Sequence, residues 1–372
     1  MCEFGNILKY EYLKLFRRKI IWVTLGIMMI LSTIIVFVSD VGFDPEEPGI
    51  VQYIRENKQK EMEIVGEKVD DRLLEKYRDK EYAQGLWYFL NCLFPSDYIC
   101  EVTEEKLYQQ RQELLRNNME DARLTKGEKA YWKQKEAGIE KPFAYGYTAG
   151  ERKLIAVFYT MVMMQVIFVA VAVPSIFADE HFRKMDQLNL CCKYGKGRLY
   201  GAKITAGLTV GTGGTLCLIL SSVIPILILY GFHGLNVRIQ LIYAACSYPL
   251  TIGQVIGNQI ILLIFAAVLE SAFAMFCAEK MKSGMGTMAV MTGILLLSLA
   301  ISIPDQYRMA VQLWNSFPSN ILAVWNLLDC RLVSLFGRYF TQMQILPIAY
   351  VVLAVLLAAG GWRGYKRYQI TK

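Results

Sequence analysis

Histidine is almost missing from this chain, with two among 372 residues, His181 and His233. No His-Glu-x-x-His zinc motif is therefore present, and no apolar run holds a histidine to serve a serine as general base. A Gly-x-Ser-x-Gly elbow is lacking too. Gly195-Lys196-Gly197 resembles phosphate-binding chemistry, but it lacks the upstream glycine and the following Ser or Thr of a P-loop. The chain therefore does not hydrolyse nucleotide by itself, and neither catalytic residues nor metal ligands are expected. Charge is scarce as well. Charged residues make up 20% and hydrophobic residues 54%, against about 25% and 45–50% in a soluble domain. That balance excludes a cytoplasmic enzyme and a secreted domain stapled by disulfides.

What the chain has is long apolar runs. A transmembrane helix needs about 20 mostly apolar residues. Six windows approach that: 20–38, 154–178, 204–231, 259–278, 284–303 and 344–362. The first is too long for the 7–15 residues of a signal-peptide core and has no small-residue cleavage site behind it, so it reads as a retained anchor. The expected fold is an all-α polytopic membrane protein of six helices.

The charges are divided unevenly. Residues 40–150 hold 17 Lys/Arg against 23 Asp/Glu, a net of −6, and the remainder holds 23 against 10, a net of +13. An acidic insert is thus joined to a basic membrane body. With the N-terminus inside, the segments 1–19, 179–203, 279–283 and 363–372 carry 17 Lys/Arg, and the short segments 232–258 and 304–343 carry four. Basic residues mark the cytoplasmic side. Both termini are accordingly expected in the cytoplasm and the 39–153 insert outside. No nucleic-acid signature accompanies the basic residues, and the bilayer is the expected partner.

Residues 1–19 have helical periodicity, with Phe4, Ile7, Leu8, Tyr12, Leu15 and Phe16 recurring at three- and four-residue spacing among Lys9, Lys14, Arg17 and Arg18. A basic amphipathic interface helix and a solvated basic flank both fit this. The insert reads as helical over 51–80 and 103–136, rich in good helix formers. Thr125-Lys126-Gly127-Glu128 is a capping box that starts a fresh turn. Leu86-Trp87-Tyr88-Phe89-Leu90, followed by Leu93-Phe94, forms an apolar strip to cover the long helices.

Three groups of residues carry candidate chemistry. Glu270 is the one ionisable residue inside a predicted span, which suits either an acid in a substrate pathway or a helix–helix contact. Cys92 and Cys100 share the outer compartment, where a disulfide across the Pro95-Ser96-Asp97 turn and two buried thiols are both open. The loop 179–203 is the inner segment long enough to dock a soluble partner. It runs through Asp179, Glu180, Arg183, Lys184, Asp186 and Leu188 to Arg198 and Lys203.

This sequence resembles the permeases of type-2 ABC transporters, the Gram-positive subgroup with a large extracellular insert. Glu180, Leu188, Arg198 and Lys203 match the family pattern after the second span. The basic helix before the first span matches as well. So do Leu124-Thr-Lys-Gly-Glu-Lys-Ala-Tyr-Trp132 and Pro142-Phe-Ala-Tyr-Gly-Tyr-Thr-Ala-Gly150 within the insert. Lys184 departs from the family by standing where a glycine is usual. The resemblance implies a plasma-membrane subunit that exports cargo with a separate ATPase, which holds ATP and Mg, and with a second permease subunit. Residues 179–203 would be the coupling segment. The alternative is a sensor or immunity protein that binds a peptide through its extracellular domain without transport.

Overall fold

The computed structural model describes residues 2–38, 50–76, 83–94, 102–183, 185 and 197–367. About 75% of the chain is helical. The only described sheet is one short antiparallel hairpin, β1 (Val333–Leu335) with β2 (Arg338–Phe340).

An amphipathic helix α1 (Cys2–Phe16) leads into the apolar α2 (Lys19–Val38). The insert supplies α3 (Ile50–Met62), α4 (Asp71–Lys76), α5 (Gln84–Leu93), α6 (Glu104–Asp121) and α7 (Lys126–Ala137). Then come α8 (Ala149–Ala172), α9 (Ser175–Phe182), α10 (Arg198–Leu229), α11 (Ile252–Met281) and α12 (Gly284–Ala300). Three short helices follow, α13 (Arg308–Asn315), α14 (Pro318–Ile321) and α15 (Val324–Leu327). After the hairpin, α16 (Gln342–Arg367) closes the chain. Five helical segments are long and apolar enough to cross a membrane: α2, α8 with α9, α10, α11 and α16. The apolar α12, at 17 residues, is shorter than the expected 284–303 span. These helices suit a membrane protein.

Packing ranks the helices. In α8 and α11, 61% and 56% of the most apolar stretch is buried, against 22% in α2 and α16. The first two therefore form the centre of the bundle, and the outer two leave apolar faces such as Ile30, Ile348 and Leu356 exposed. Glycines allow α10 to come close to its neighbours. A Cβ at Gly207 would meet Met275, one at Gly211 would meet Ser271, and one at Gly214 would meet the Phe168 ring. The small-xxx-small spacing is thus a packing face between α10, α11 and α8.

The helix limits differ from the sequence expectation where charges were taken as span ends. The 154–178 run is one helix extended back to Ala149 and interrupted at Val173-Pro174, where proline has no N–H to continue the ladder. The 179–203 segment is not a loop throughout. Asp179–Phe182 belongs to α9 and Arg198–Lys203 to the first turns of α10. Residues 252–258 open α11 behind a capping box of Thr251 and Gln254. The segment 304–343, which the sequence offers as a short connection between spans, holds α13, α14, α15 and the hairpin. Ser319, Asn320, Ile321, Leu322 and Ala323 are buried against the bundle.

The insert has its own core. Leu86, Phe89, Leu90 and Leu93 pack with Ile64, Leu73, Leu107 and Phe143, as their i, i+3, i+4, i+7 spacing predicts. The helical stretch 103–136 divides at residues 122–125, and the Thr125–Glu128 capping box starts α7 there as expected.

Candidate functional site

Charge is concentrated where α1, α9 and α10 meet. Pro174 turns the chain so that α9 directs Asp179 and Glu180 toward α1. Lys14 Nζ donates to Glu180 Oε1 at 2.9 Å and lies 2.6 Å from Glu11 Oε1. Lys203 Nζ, from α10, lies 2.5 Å from Glu180 Oε2 and donates to the Ile176 carbonyl at 3.1 Å. Each Glu180 oxygen therefore holds one lysine, and the carboxylate joins three helices. Arg18 pairs with Asp179 beside them. Burial works against the charge of Lys14, but Glu180 and Glu11 outweigh it and raise its pKa. The Lys203 side chain is fully buried, with its ammonium over the Phe177 ring.

The N-terminal helix is fixed by packing as well as by charge. Leu8, Tyr12 and Leu15 face the bundle, and the Tyr12 hydroxyl shares a 2.6 Å hydrogen bond with Thr209 Oγ1 on α10. Residues 2–16 are thus a helix held on the bundle. At the same end, Tyr365 of α16 packs on Tyr200 and Phe177. The N-terminal helix and the end of α16 thus share one end of the bundle. A cavity of about 320 Å³ lies between α1 and α9, bordered by Arg17, Arg18, Asp179, Glu180 and Arg183. At and beside its rim, Phe182, Arg183, Met185 and Arg198 are exposed. Lys184, Asp186 and Leu188 lie outside the described residues.

Glu270 is the second centre. It lies on α11 about 17 Å from the Met281 end at 1.5 Å per residue. Gln165 of α8 donates to its Oε2 at 3.0 Å, and Oε1 has no partner among the described residues. Between α8, α11, α12 and α14 there is a cavity of about 190 Å³ lined by Val166, Glu270, Phe273, Met291, Leu295 and Ser319, with other apolar side chains.

No family model, curated protein or solved structure matches this chain. The chemistry available is therefore what its own geometry offers. Among the described residues no cluster of His, Cys, Asp or Glu is arranged to hold a metal. Cys92 is exposed and has no disulfide partner among the described residues, and Cys100 lies outside them, so their pairing is outside them too.

At the opposite end, the insert is clamped to the two connections that face it, a feature sequence reading missed. Arg111 of α6 is fully buried and donates to the carbonyls of Ala244 and Cys246. Glu128 of α7 accepts from Thr125 and from the Leu332 N–H at 3.0 Å, and pairs with Arg308 of α13. Trp132 Nε1 donates to the Cys330 carbonyl at 2.6 Å. A third cavity, about 230 Å³, sits in this joint beside Trp132, Tyr248, Asp121, Asp329 and Arg331.

The Glu128 clamp has a pH signature. Burial acts to raise its pKa, but hydrogen bonds from Arg308, Thr125 and Leu332 outweigh it and hold the carboxyl below its usual 4.5. A depressed carboxyl contributes stability that is present above the unfolded pKa and lost as pH falls through the folded one. The thermal midpoint should therefore drop as pH falls below about 4.5. Glu128→Gln should lower the midpoint at neutral pH and flatten this acid limb. An equally steep limb in the variant would assign the pH dependence elsewhere.

Proposed function

We propose that this chain is the membrane subunit of an ATP-driven exporter of the type-2 ABC class. The single observation that carries the reading is the three-helix block centred on Glu180. Glu180 and Lys203, which the family resemblance singles out, are spent on each other and on Lys14. They bind α1, α9 and α10 into one unit that moves together. The adjoining Phe182, Arg183, Met185 and Arg198 are left exposed for a soluble partner. A push on that surface is transmitted directly to α8, through α9, and to α10. The expected partner is a cytoplasmic ATPase that binds ATP and Mg, and a second permease subunit completes the pathway. The basic residues at this end support a cytoplasmic side for it and an outer side for the insert, and the family resemblance supports the plasma membrane of a Gram-positive bacterium. Binding biases a conformational equilibrium only through contacts that differ between the states. Arg183 and Arg198 are assigned those contacts, and Glu180 and Lys203 position them.

The test is co-purification of the full chain with its ATPase. Arg183→Glu with Arg198→Glu should abolish ATPase binding while the purified chain keeps a cooperative thermal transition, the sign that it still folds. ATPase binding and ATP-driven transport that survive both reversals would overturn the assignment.

A second reading, a sensor without transport, is favoured by the cavity of about 230 Å³ between the insert and its two connections. Peptide binding there with no ATPase partner would select it.

A further inference from the structure

Glu270 lies deep in α11, well inside both ends of the helix and beside apolar side chains. A carboxyl at such depth is costly to keep unless something pairs with it. Within the chain its compensation is incomplete. Gln165 satisfies Oε2 at 3.0 Å, Oε1 has no partner, and no cation pairs with it among the described residues. The residue is 7% exposed, so lipid does not solvate it. Beside it is the cavity of about 190 Å³, walled by Val166, Leu269, Phe273, Met291 and Leu295. The other polar group at its wall, Ser319, has its hydroxyl turned to Ser298 at 2.7 Å. One acidic group in an apolar chamber is a specification for a ligand with one positive charge and a compact hydrocarbon body.

The chamber also has an entrance. Ile294 and Phe317, at its edge, are 37% and 40% exposed on the outside of the bundle. A molecule dissolved among lipid tails reaches the acid from the side, between α12 and the turn before α14.

We propose that this pocket binds a hydrophobic amine, with its protonated nitrogen on Glu270 Oε1 and its apolar body against Val166, Phe273, Met291 and Leu295. Gln165 positions the carboxylate, and Phe317 borders the way in. The binding site itself follows from the pocket. That its occupant is also cargo rests on the export reading.

The experiment uses tritiated 1-aminoadamantane and the full chain in phosphatidylcholine nanodiscs, with empty discs subtracted. One saturable site per chain is expected. A charge-assisted hydrogen bond predicts that Glu270→Gln weakens binding by about tenfold to a hundredfold. Leu295→Trp, which fills the chamber and leaves the acid, should abolish it. On the wild-type chain, 1-adamantanol has the same body and no charge, so it should compete at least tenfold less well. Equal competition by the alcohol overturns the proposal without any variant. No saturable binding above empty discs, or unchanged affinity in Glu270→Gln, does so as well. ATPase co-purification is read on the same preparations. If the ATPase is retained and the amine does not bind, the pocket assignment fails and the export reading stands.

Discussion

Arg111→Met should cost the insert about 3–5 kcal/mol and release it from the rest of the protein. The guanidinium is fully buried and spends its donors in three directions. Nε reaches the Ala244 carbonyl at 3.0 Å, Nη2 reaches the Cys246 carbonyl at 2.8 Å, and Nη1 and Nη2 form a fork on Glu136. Removing it orphans two carbonyls and takes the main partner from a half-buried carboxylate, for which Lys141 at 2.8 Å is only a partial substitute. Arg111→Lys should fail nearly as badly, because a single ammonium does not reproduce a planar fork. The readouts are a lower thermal midpoint and faster proteolysis within 122–125, the break between α6 and α7. A loss below about 1 kcal/mol would mean that the apolar core of the insert, not the arginine, holds the 239–248 connection.

Elements governed by local pattern were legible in the sequence, and pairings across the chain were not. The apolar runs announce α2, α8, α10, α11, α12 and α16, and the Thr125–Glu128 box announces α7. Glu270 stands out because a charge inside an apolar run is conspicuous. Its partner Gln165, 105 residues earlier, carries no local mark. Span limits were misjudged for a related reason. Ending a span at its first charge assumes that the charge meets water, but Lys203 meets Glu180 within the bundle. The buried turn at α14 was also hidden. Residues 309–328 hold no charged side chain, which is a usable signal, but Asn315, Ser316, Pro318 and Asn320 disguise it as a polar loop. Those polar groups are consumed inside the fold. Gln259 donates to the Leu322 carbonyl at 2.9 Å, and Asn320 donates to the Trp314 carbonyl at 3.0 Å.

The Glu180 block separates stability from coupling in a way that can be measured. Glu180→Ala leaves the Lys203 ammonium fully buried, with one carbonyl and one aromatic ring for company. Stranding a buried charge in this way should cost about 3–5 kcal/mol. Adding Lys203→Met removes the stranded charge and replaces it with an apolar chain of similar length, so the double variant should regain most of that loss. Exchanging the two residues should not rescue the fold. A lysine at position 180 would face Lys14, which now lies 2.9 Å from Glu180. The double apolar variant therefore folds, but α1 loses the carboxylate that ties it to α9 and α10, and retains the Tyr12–Thr209 hydrogen bond to α10. If force on the exposed Phe182, Arg183 and Met185 passes through a rigid block, this variant should bind its ATPase and lose at least tenfold in ATP-driven transport. Normal transport would place the coupling outside the block. A double variant as unstable as Glu180→Ala alone would show that the stranded charge was not the source of the loss.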